Sequence, residues 1–149
     1  MPVDPELVGR PFPRTEPYLV GREKVREFAR AVFASDPSHT DPAAARALGY
    51  PDVVAPPTFA MVVQDLTLQQ LLAAPDTGIV LERLIHAEQR FRYTRPIVAG
   101  DELTAQLSIT GLRPFGKGAM VTSEAEITDA AGAHVVTATS VLLVGGEDA

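Results

Sequence analysis

A proline-containing loop early in the chain holds the residues best suited to chemistry. His39 stands between Asp36 and Asp41, and a long apolar segment follows the loop. A histidine and a carboxylate within reach of one another can move protons to and from a substrate near neutral pH. Asp36 and His39 are therefore candidate catalytic residues. Asp41 precedes Pro42, which is typical of a helix N-cap, so a structural role is favoured for Asp41.

The composition excludes several types of site and several classes of partner. The chain has no cysteine, which excludes disulfides, thiolate nucleophiles and zinc sites built with sulfur. Its three histidines are far apart in sequence and lack the short spacing of metal ligands, so we predict neither a metal nor a cofactor. A net charge of −6 without a basic cluster argues against nucleic acid or an anionic membrane as a partner. Because no long apolar run or leader is visible, we expect a single cytoplasmic domain over residues 1–149.

Three segments have the periodicity and the end signals of helices. Residues 22–33 place apolar side chains on one face at intervals of three and four. Residues 43–48 follow the predicted cap and stop at Gly49. Residues 58–74 are apolar around more than one face, which predicts a helix largely enclosed by the rest of the protein. Several prolines in residues 1–20 predict an extended arm rather than a packed element.

The second half of the chain alternates apolar and polar residues between glycine-containing turns, which predicts a meander of strands. The four predicted strands cover residues 85–93, 103–109, 121–127 and 135–144. In the first strand, one face is formed by Ile85, Ala87, Gln89, Phe91 and Tyr93, and the other, solvated face by His86, Glu88, Arg90 and Arg92. Helices followed by such a meander indicate an α+β domain, with a helix packed on one face of an antiparallel sheet. The polar residues 145–149 are expected to form a frayed tail.

Short motifs occur in order along nearly the whole chain. They are Val8-Gly9, residues 20–29, Leu48-Gly49-Tyr50, Val54-Ala55-Pro56-Pro57-Thr58-Phe59, Gln89-Arg90-Phe91 and residues 95–101. Together they resemble the MaoC-like and FAS1-like dehydratase domains, and in particular the non-catalytic subunit of actinobacterial heteromeric (3R)-hydroxyacyl-ACP dehydratases. The resemblance implies a hot-dog fold, in which an antiparallel sheet wraps around a long central helix. It also implies dimerisation, as a homodimer or as a heterodimer with a catalytic MaoC-like subunit.

The departures from the family pattern concern the catalytic groups. Active relatives carry a Gly-Asp-x-Asn-Pro-x-His-x-Asp loop; here His39 falls on the histidine and Ala34 on the catalytic aspartate. Dehydration of a hydroxyacyl thioester needs a base, an acid and donors for the thioester oxygen. Active relatives use backbone N–H groups at the start of the central helix as those donors, whereas Pro56-Pro57 lacks them. The resemblance places the substrate near this helix start, at Pro57, Thr58, Phe59 and Met61.

Four functions remain open from the sequence. The leading hypothesis is a subunit that supports binding of an acyl-CoA or acyl-ACP thioester while a MaoC-like partner performs catalysis. The second is a self-sufficient homodimeric hydratase that uses Asp36 and His39. The third is a hot-dog thioesterase based on Asp65, which lies within the apolar helix. The fourth is an acyl-thioester binding protein without turnover. Alanine at position 34 favours the first hypothesis over the second, because a chain that is active alone needs an acid there.

Overall fold

The structure, a computed structural model, describes residues 3–146, with helices first and strands afterwards. The α-helices are α1 (Arg22–Ala31), α2 (Pro42–Ala47) and α3 (Ala60–Ala73). The strands are β1 (Tyr18–Leu19), β2 (Leu84–Tyr93), β3 (Glu102–Phe115), β4 (Gly118–Thr128) and β5 (His134–Val144). Short 3₁₀ turns cover Pro5–Leu7, Pro37–His39, Pro57–Phe59 and Leu81–Arg83. No helix of the described residues is both long enough and apolar enough to cross a membrane.

The five strands form one antiparallel sheet in the order β1-β3-β4-β5-β2. The inward side chains of β3 and β4 alternate regularly, with Leu103, Ala105, Val121, Ala125 and Ile127 all buried. Helix α3 packs on this face, against β3, β4 and β5. The predicted α+β architecture with a long helix on an antiparallel sheet is therefore confirmed.

Helix α3 differs from its prediction at its start and in how far it is enclosed. The chain enters it through the 3₁₀ turn Pro57–Phe59, so the α-helix itself begins at Ala60 rather than at residue 58. Among residues 3–146, no side chain caps the turn or the helix, because Pro56 and Phe59 occupy the two cap positions and neither carries a side-chain acceptor. Val63 is buried, whereas Asp65 is exposed. The helix is thus covered on the sheet side and open to solvent on the other.

A β-bulge changes the predicted faces of β2. The register with β5 shifts between His86 and Glu88, so Ala87 is an extra residue in the strand. A bulge reverses the alternation of side chains along a strand. Leu84 is therefore partly buried, whereas Ile85 is 62% exposed, although the alternation predicted Ile85 on the inner face. His86, which we predicted on the solvated face with Glu88, is exposed as predicted but lies on the side of Gln89, which it contacts at 2.9 Å.

The N-terminal arm is packed, contrary to our expectation. Val3, Leu7 and Phe12 are buried and belong to a core cluster beneath the second half of α3. Backbone hydrogen bonds fix the arm, including one from the Thr15 N–H to the Ala105 carbonyl at 2.9 Å. An extended segment can bury alternate side chains without regular secondary structure, which is why the prolines misled the prediction.

At the C-terminus, the predicted frayed tail is attached at its first residues. The Gly145 N–H donates to the Arg83 carbonyl at 2.8 Å, and Gly146 is buried. The expectation of fraying is therefore wrong for Gly145 and Gly146. The remainder of that prediction, residues 147–149, lies outside the described residues.

Candidate functional site

The loop that carries the candidate catalytic residues is shaped by two short capped turns. The Asp36 carboxylate accepts a hydrogen bond from the Ser38 N–H at 2.9 Å and begins the turn Pro37–His39. The Asp41 carboxylate accepts from the Ala43 N–H at 3.0 Å and caps α2, as predicted. The hydrogen bond from Ser38 holds the pKa of Asp36 below its usual range. Asp36 is thus exposed and ionised at neutral pH, and its carboxylate is occupied as a cap.

His39 is fixed by the segment that runs toward α3. Its Nδ1 lies 2.6 Å from the Val54 carbonyl oxygen, and the Val54 N–H donates to the Ser38 carbonyl at 2.9 Å. Because a carbonyl oxygen only accepts, Nδ1 carries the proton and Nε2 carries the lone pair of the neutral ring. His39 is therefore held in the tautomer that can accept a proton or a hydrogen bond through Nε2.

A cavity of about 310 Å³ opens beside His39. Its walls are formed by the loop, the approach to α3 and the end of β2, and the lining residues are His39, Val54, Ala55, Pro57, Tyr93, Thr94, Arg95 and Pro96. The segment of Val54 and Ala55 is anchored below, where the Ala55 N–H donates to the Ile97 carbonyl at 2.8 Å. A cavity of this size is within the range that holds a small ligand.

Two polar side chains in the cavity wall, Tyr93 and Arg95, already form a hydrogen bond or ion pairs with other residues of the protein. The Tyr93 hydroxyl donates to the Pro57 carbonyl and so ties β2 to the start of α3. Burial raises the pKa of Tyr93 to about 12, which keeps the phenol protonated at neutral pH. Arg95 forms ion pairs with Asp101 at 2.8 Å and with Asp129 at 3.2 Å, and these hydrogen bonds raise its pKa. With its charge balanced in this way, Arg95 serves as part of the scaffold.

The four predicted substrate contacts are not brought together. Pro57 lines the cavity beside His39, and Thr58 is exposed in the turn before α3. Phe59 is completely buried and makes an edge-to-face contact with Phe28, with ring centroids 5.3 Å apart. Met61 lines a separate cavity of about 20 Å³ between α3 and the sheet. Of the two candidate catalytic residues, the structure places His39 in the larger cavity and does not place Asp36 there.

A layer of polar side chains that are hydrogen-bonded to one another lies at the small cavity. The Gln64 amide donates to Ser140 Oγ at 2.6 Å and accepts from Gln89 at 2.7 Å. Gln64 is 4% exposed and Ser140 is 3% exposed, so these bonds satisfy buried groups. Asp65 also borders this cavity, but it is exposed and accepts a hydrogen bond from Gln69 at 2.8 Å. A cavity of about 20 Å³ holds about one water molecule and cannot accept a thioester. This disfavours the thioesterase hypothesis for Asp65.

Sequence reasoning missed the contribution of β2 to the site. Tyr93 and Thr94 line the cavity, yet Tyr93 was predicted only as an inward residue of a strand. The motif that begins at Arg95 was a usable signal, because it starts two residues after the last residue of the strand and contains Pro96. Periodicity gives no indication that residues 93–96 meet the loop of His39, since the contact joins segments that are far apart in the sequence.

Comparison with known proteins identifies the family. The model for the "FAS1-like, dehydratase domain region" matches residues 6–138. A "UPF0336 protein" of Clavibacter michiganensis is 62% identical over 149 residues, which is the full length of both chains. The chain belongs to the FAS1-like dehydratase domain family, as its motifs suggested.

Solved structures support the same assignment. The chain is similar to the C-terminally truncated HadBC (3R-hydroxyacyl-ACP dehydratase) complex of Mycobacterium tuberculosis, with 32% identity and a TM-score of 0.80. That match covers 89% of this chain and 92% of the other. It is also similar to a MaoC-like dehydratase at 40% identity and a TM-score of 0.77, covering 95% of this chain and 43% of that one. The architecture is therefore that of the MaoC-like hot-dog dehydratases.

Proposed function

We propose that this protein is a subunit of a (3R)-hydroxyacyl-thioester dehydratase, supporting substrate binding while a MaoC-like partner supplies the catalytic acid and base. The observation that carries the proposal is the set of side chains that line the 310 Å³ cavity. His39 contributes an imidazole to the lining, whereas burial keeps Tyr93 protonated and ion pairs with Asp101 and Asp129 engage Arg95. Asp36 is occupied outside the cavity wall as a cap.

The start of α3 supports the same assignment. A helix N-terminus stabilises a developing oxyanion through its free N–H groups. Residues 56 and 57 are prolines without N–H groups, and the Pro57 carbonyl is engaged by Tyr93. On this proposal His39 is the proton-transfer group at the cavity, and residues 56 and 57 contribute no N–H to the donor set that thioester dehydration requires.

Similarity to HadBC is consistent with a two-subunit enzyme. HadBC is a (3R)-hydroxyacyl-ACP dehydratase complex, and this chain covers 92% of the matched HadBC chain. The longer MaoC-like dehydratase is matched over 43% of its length, so a region of this type also occurs as one part of a larger chain. An acyl-CoA or acyl-ACP thioester is the substrate class that follows from this proposal.

The test is hydration of a trans-2-enoyl thioester by the purified chain, alone and with a catalytic MaoC-like subunit. We expect the lone chain to be slower than the complex by at least about 10²-fold, because a proton-transfer group and oxyanion donors are missing. His39→Ala should leave the complex largely active, whereas substitution of the catalytic histidine of the partner should abolish turnover. Gln69→Ala is the control, since Gln69 is exposed on α3 and lies outside the cavity wall.

The self-sufficient hydratase remains the second candidate, because His39 does face the cavity. If it is correct, the lone chain turns over the thioester rapidly, and either His39→Ala or Asp36→Asn removes that rate. Such a result would overturn the supporting role that we propose.

A further inference from the structure

A series of hydrogen-bonded side chains runs from the His39 cavity to a carboxylate on β4. Thr94 lines the cavity just after β2, and its Oγ1 lies 2.6 Å from Nδ1 of His134, the first residue of β5. The other ring nitrogen, His134 Nε2, lies 2.7 Å from Thr137 Oγ1. Thr137 in turn donates to Glu126 Oε1 at 2.6 Å. Thr94 is therefore the end of this series that a ligand in the cavity can reach.

The carboxylate of Glu126 determines the direction of every bond in the series. A carboxylate only accepts, so the hydroxyl proton of Thr137 points toward Glu126. Thr137 Oγ1 then offers only lone pairs to His134, so Nε2 carries the proton of the neutral ring and Nδ1 carries the lone pair. Thr94 must therefore donate its hydroxyl proton to Nδ1. The opposite direction would leave Thr137 Oγ1 and the carboxylate oxygen 2.6 Å apart with no proton between them.

The positions of the hydroxyl groups at Thr94 and Thr137 are fixed by the sheet. The Thr94 N–H donates to the Val135 carbonyl at 2.8 Å, which holds Thr94 beside the start of β5. Thr137 is 4% exposed, and the series satisfies its hydroxyl both as a donor and as an acceptor. The series is thus built around a buried hydroxyl, which distinguishes it from contacts between mobile surface side chains.

We propose that Thr94 is a ligand-binding residue of the His39 cavity and that His134 positions it as a hydrogen-bond acceptor. Because the proton of Thr94 is directed at His134, the lone pairs of Thr94 Oγ1 are available to a ligand. His39 lines the same cavity, and its unprotonated Nε2 is also an acceptor. The cavity therefore favours a ligand group that donates a hydrogen bond, such as a hydroxyl. This inference rests on the proposed function, since it takes the ligand to be an acyl thioester.

Binding fits the geometry of the series better than nucleophilic attack by Thr94. A hydroxyl, an imidazole and a carboxylate in this order activate the nucleophile of many hydrolases. Here Thr137 lies between the ring and the carboxylate, and His134 Nε2 is 3.6 Å from Glu126 Oε2, too far for a hydrogen bond. Residues 56 and 57 also contribute no N–H that could stabilise an oxyanion. The series therefore orients Thr94 for a hydrogen bond with a ligand.

Two unreactive thioethers test the preference for a donor. S-(3-hydroxybutyl)pantetheine carries a hydroxyl that S-butylpantetheine lacks, and pantetheine is the part that CoA and ACP thioesters share. Isothermal titration calorimetry should show the purified chain binding the hydroxyl probe more tightly by about 3–10-fold. Thr94→Val should bring this ratio of affinities close to one, whereas Thr94→Ser should preserve it. Thr139→Val, which lies on β5 two residues after Thr137, is the matched control and should leave the ratio unchanged.

The positioning role of His134 is tested by the tautomer of its ring. Side-chain nitrogen NMR of the neutral ring should show the proton on Nε2 in the unmodified chain. The double variant E126A/T137V removes both acceptors near Nε2, so the two tautomers should mix and the ratio of affinities should fall at least about twofold. Neither residue is among those that line the cavity within residues 3–146. Thr137→Ser keeps the hydroxyl and should keep both the tautomer and the ratio.

The possible failures separate this inference from the proposed function. Equal affinity of the unmodified chain for the two probes, an unchanged ratio in Thr94→Val, or a ring proton on Nδ1 of His134 would each overturn the role of the series alone. If Thr94→Val does not fold, an unchanged ratio in the double variant E126A/T137V has the same meaning. If neither probe binds at millimolar concentration, the supporting role in substrate binding fails together with this inference.

Discussion

The two polar sites near the first turns of α3 differ in whether their polar groups are already bonded to the protein. Gln64 has both ends of its amide hydrogen-bonded, to Ser140 and Gln89, beside a cavity of about 20 Å³. His39 is bonded through one ring nitrogen and borders a cavity of about 310 Å³. Polar groups that satisfy one another in a closed layer stabilise a fold, whereas a half-bonded side chain at an open cavity is suited to a ligand.

The largest expected effect is on stability, at the hydrogen-bonded layer of Gln64, Gln89 and Ser140. Gln64→Ala removes hydrogen bonds to Gln89 and Ser140 and leaves a void under α3, so the free energy of unfolding should fall by about 2–4 kcal/mol. Urea denaturation monitored by circular dichroism measures this change. Gln69→Ala, at an exposed position of the same helix, should change stability by no more than about 0.5 kcal/mol. Equal losses in the two variants would show that the layer does not stabilise the fold.

The next effect is on binding, at the open site. His39→Ala loses the hydrogen bond to Val54, which should cost about 1 kcal/mol of stability. The same change should weaken binding of an unreactive acyl-thioester analogue several-fold, because the imidazole no longer borders the cavity. Isothermal titration calorimetry with His39→Ala, Gln64→Ala and the unmodified chain separates the two roles. If Gln64→Ala impairs binding more than His39→Ala does, the distinction between the sites is wrong.

The fold was predictable because the helices and strands recognised by their hydrophobic periodicity are long and end at clear turn or cap residues. The alternation of β3 and β4 continues along one face, and the caps of α2 are local signals at Asp41 and Pro42. The bulge at Ala87 was not predictable, since one additional residue leaves the composition of the strand unchanged while reversing its faces. Burial of the arm at Leu7 and Phe12 was likewise not visible, because it depends on the groove available beneath α3.

The candidate site was predictable only in part, for a related reason. Local signals identified His39 and the proline-rich approach to α3, and His39 does border the larger cavity. Local signals also paired His39 with Asp36, but the carboxylate of Asp36 turns back to cap its own turn. Tyr93 reaches the site from β2, and its bond to the Pro57 carbonyl depends on tertiary packing. Short-range sequence patterns indicate which residues can do chemistry, whereas the walls of a cavity depend on distant segments.

The smallest expected effect concerns the ion pair behind the cavity wall. Arg22 of α1 donates to both oxygens of Asp52, at 3.0 and 2.8 Å, next to the segment that leads to Val54. The hydrogen bond with Arg22 lowers the pKa of Asp52 to about 2, from a usual value of 3.8. Because this carboxyl binds its proton less readily in the folded state, its contribution to stability is present above about pH 4 and is lost as the pH falls toward 2.

Asp52→Asn should therefore reduce stability at pH 7 by less than about 1 kcal/mol, since the pair is partly exposed. On acidification from pH 5 to pH 2 the unmodified chain should lose more stability than the variant, because the variant has no carboxyl to protonate at this position. Urea denaturation at pH 7, 5 and 2.5, run on Asp52→Asn, Arg22→Gln and the double variant, gives the coupling between the two side chains. The coupling should be favourable at pH 7 and clearly smaller at pH 2.5, where the carboxyl begins to bind its proton in the folded state. A coupling that is absent at pH 7, or that is unchanged by acid, would mean that the ion pair does not stabilise the fold.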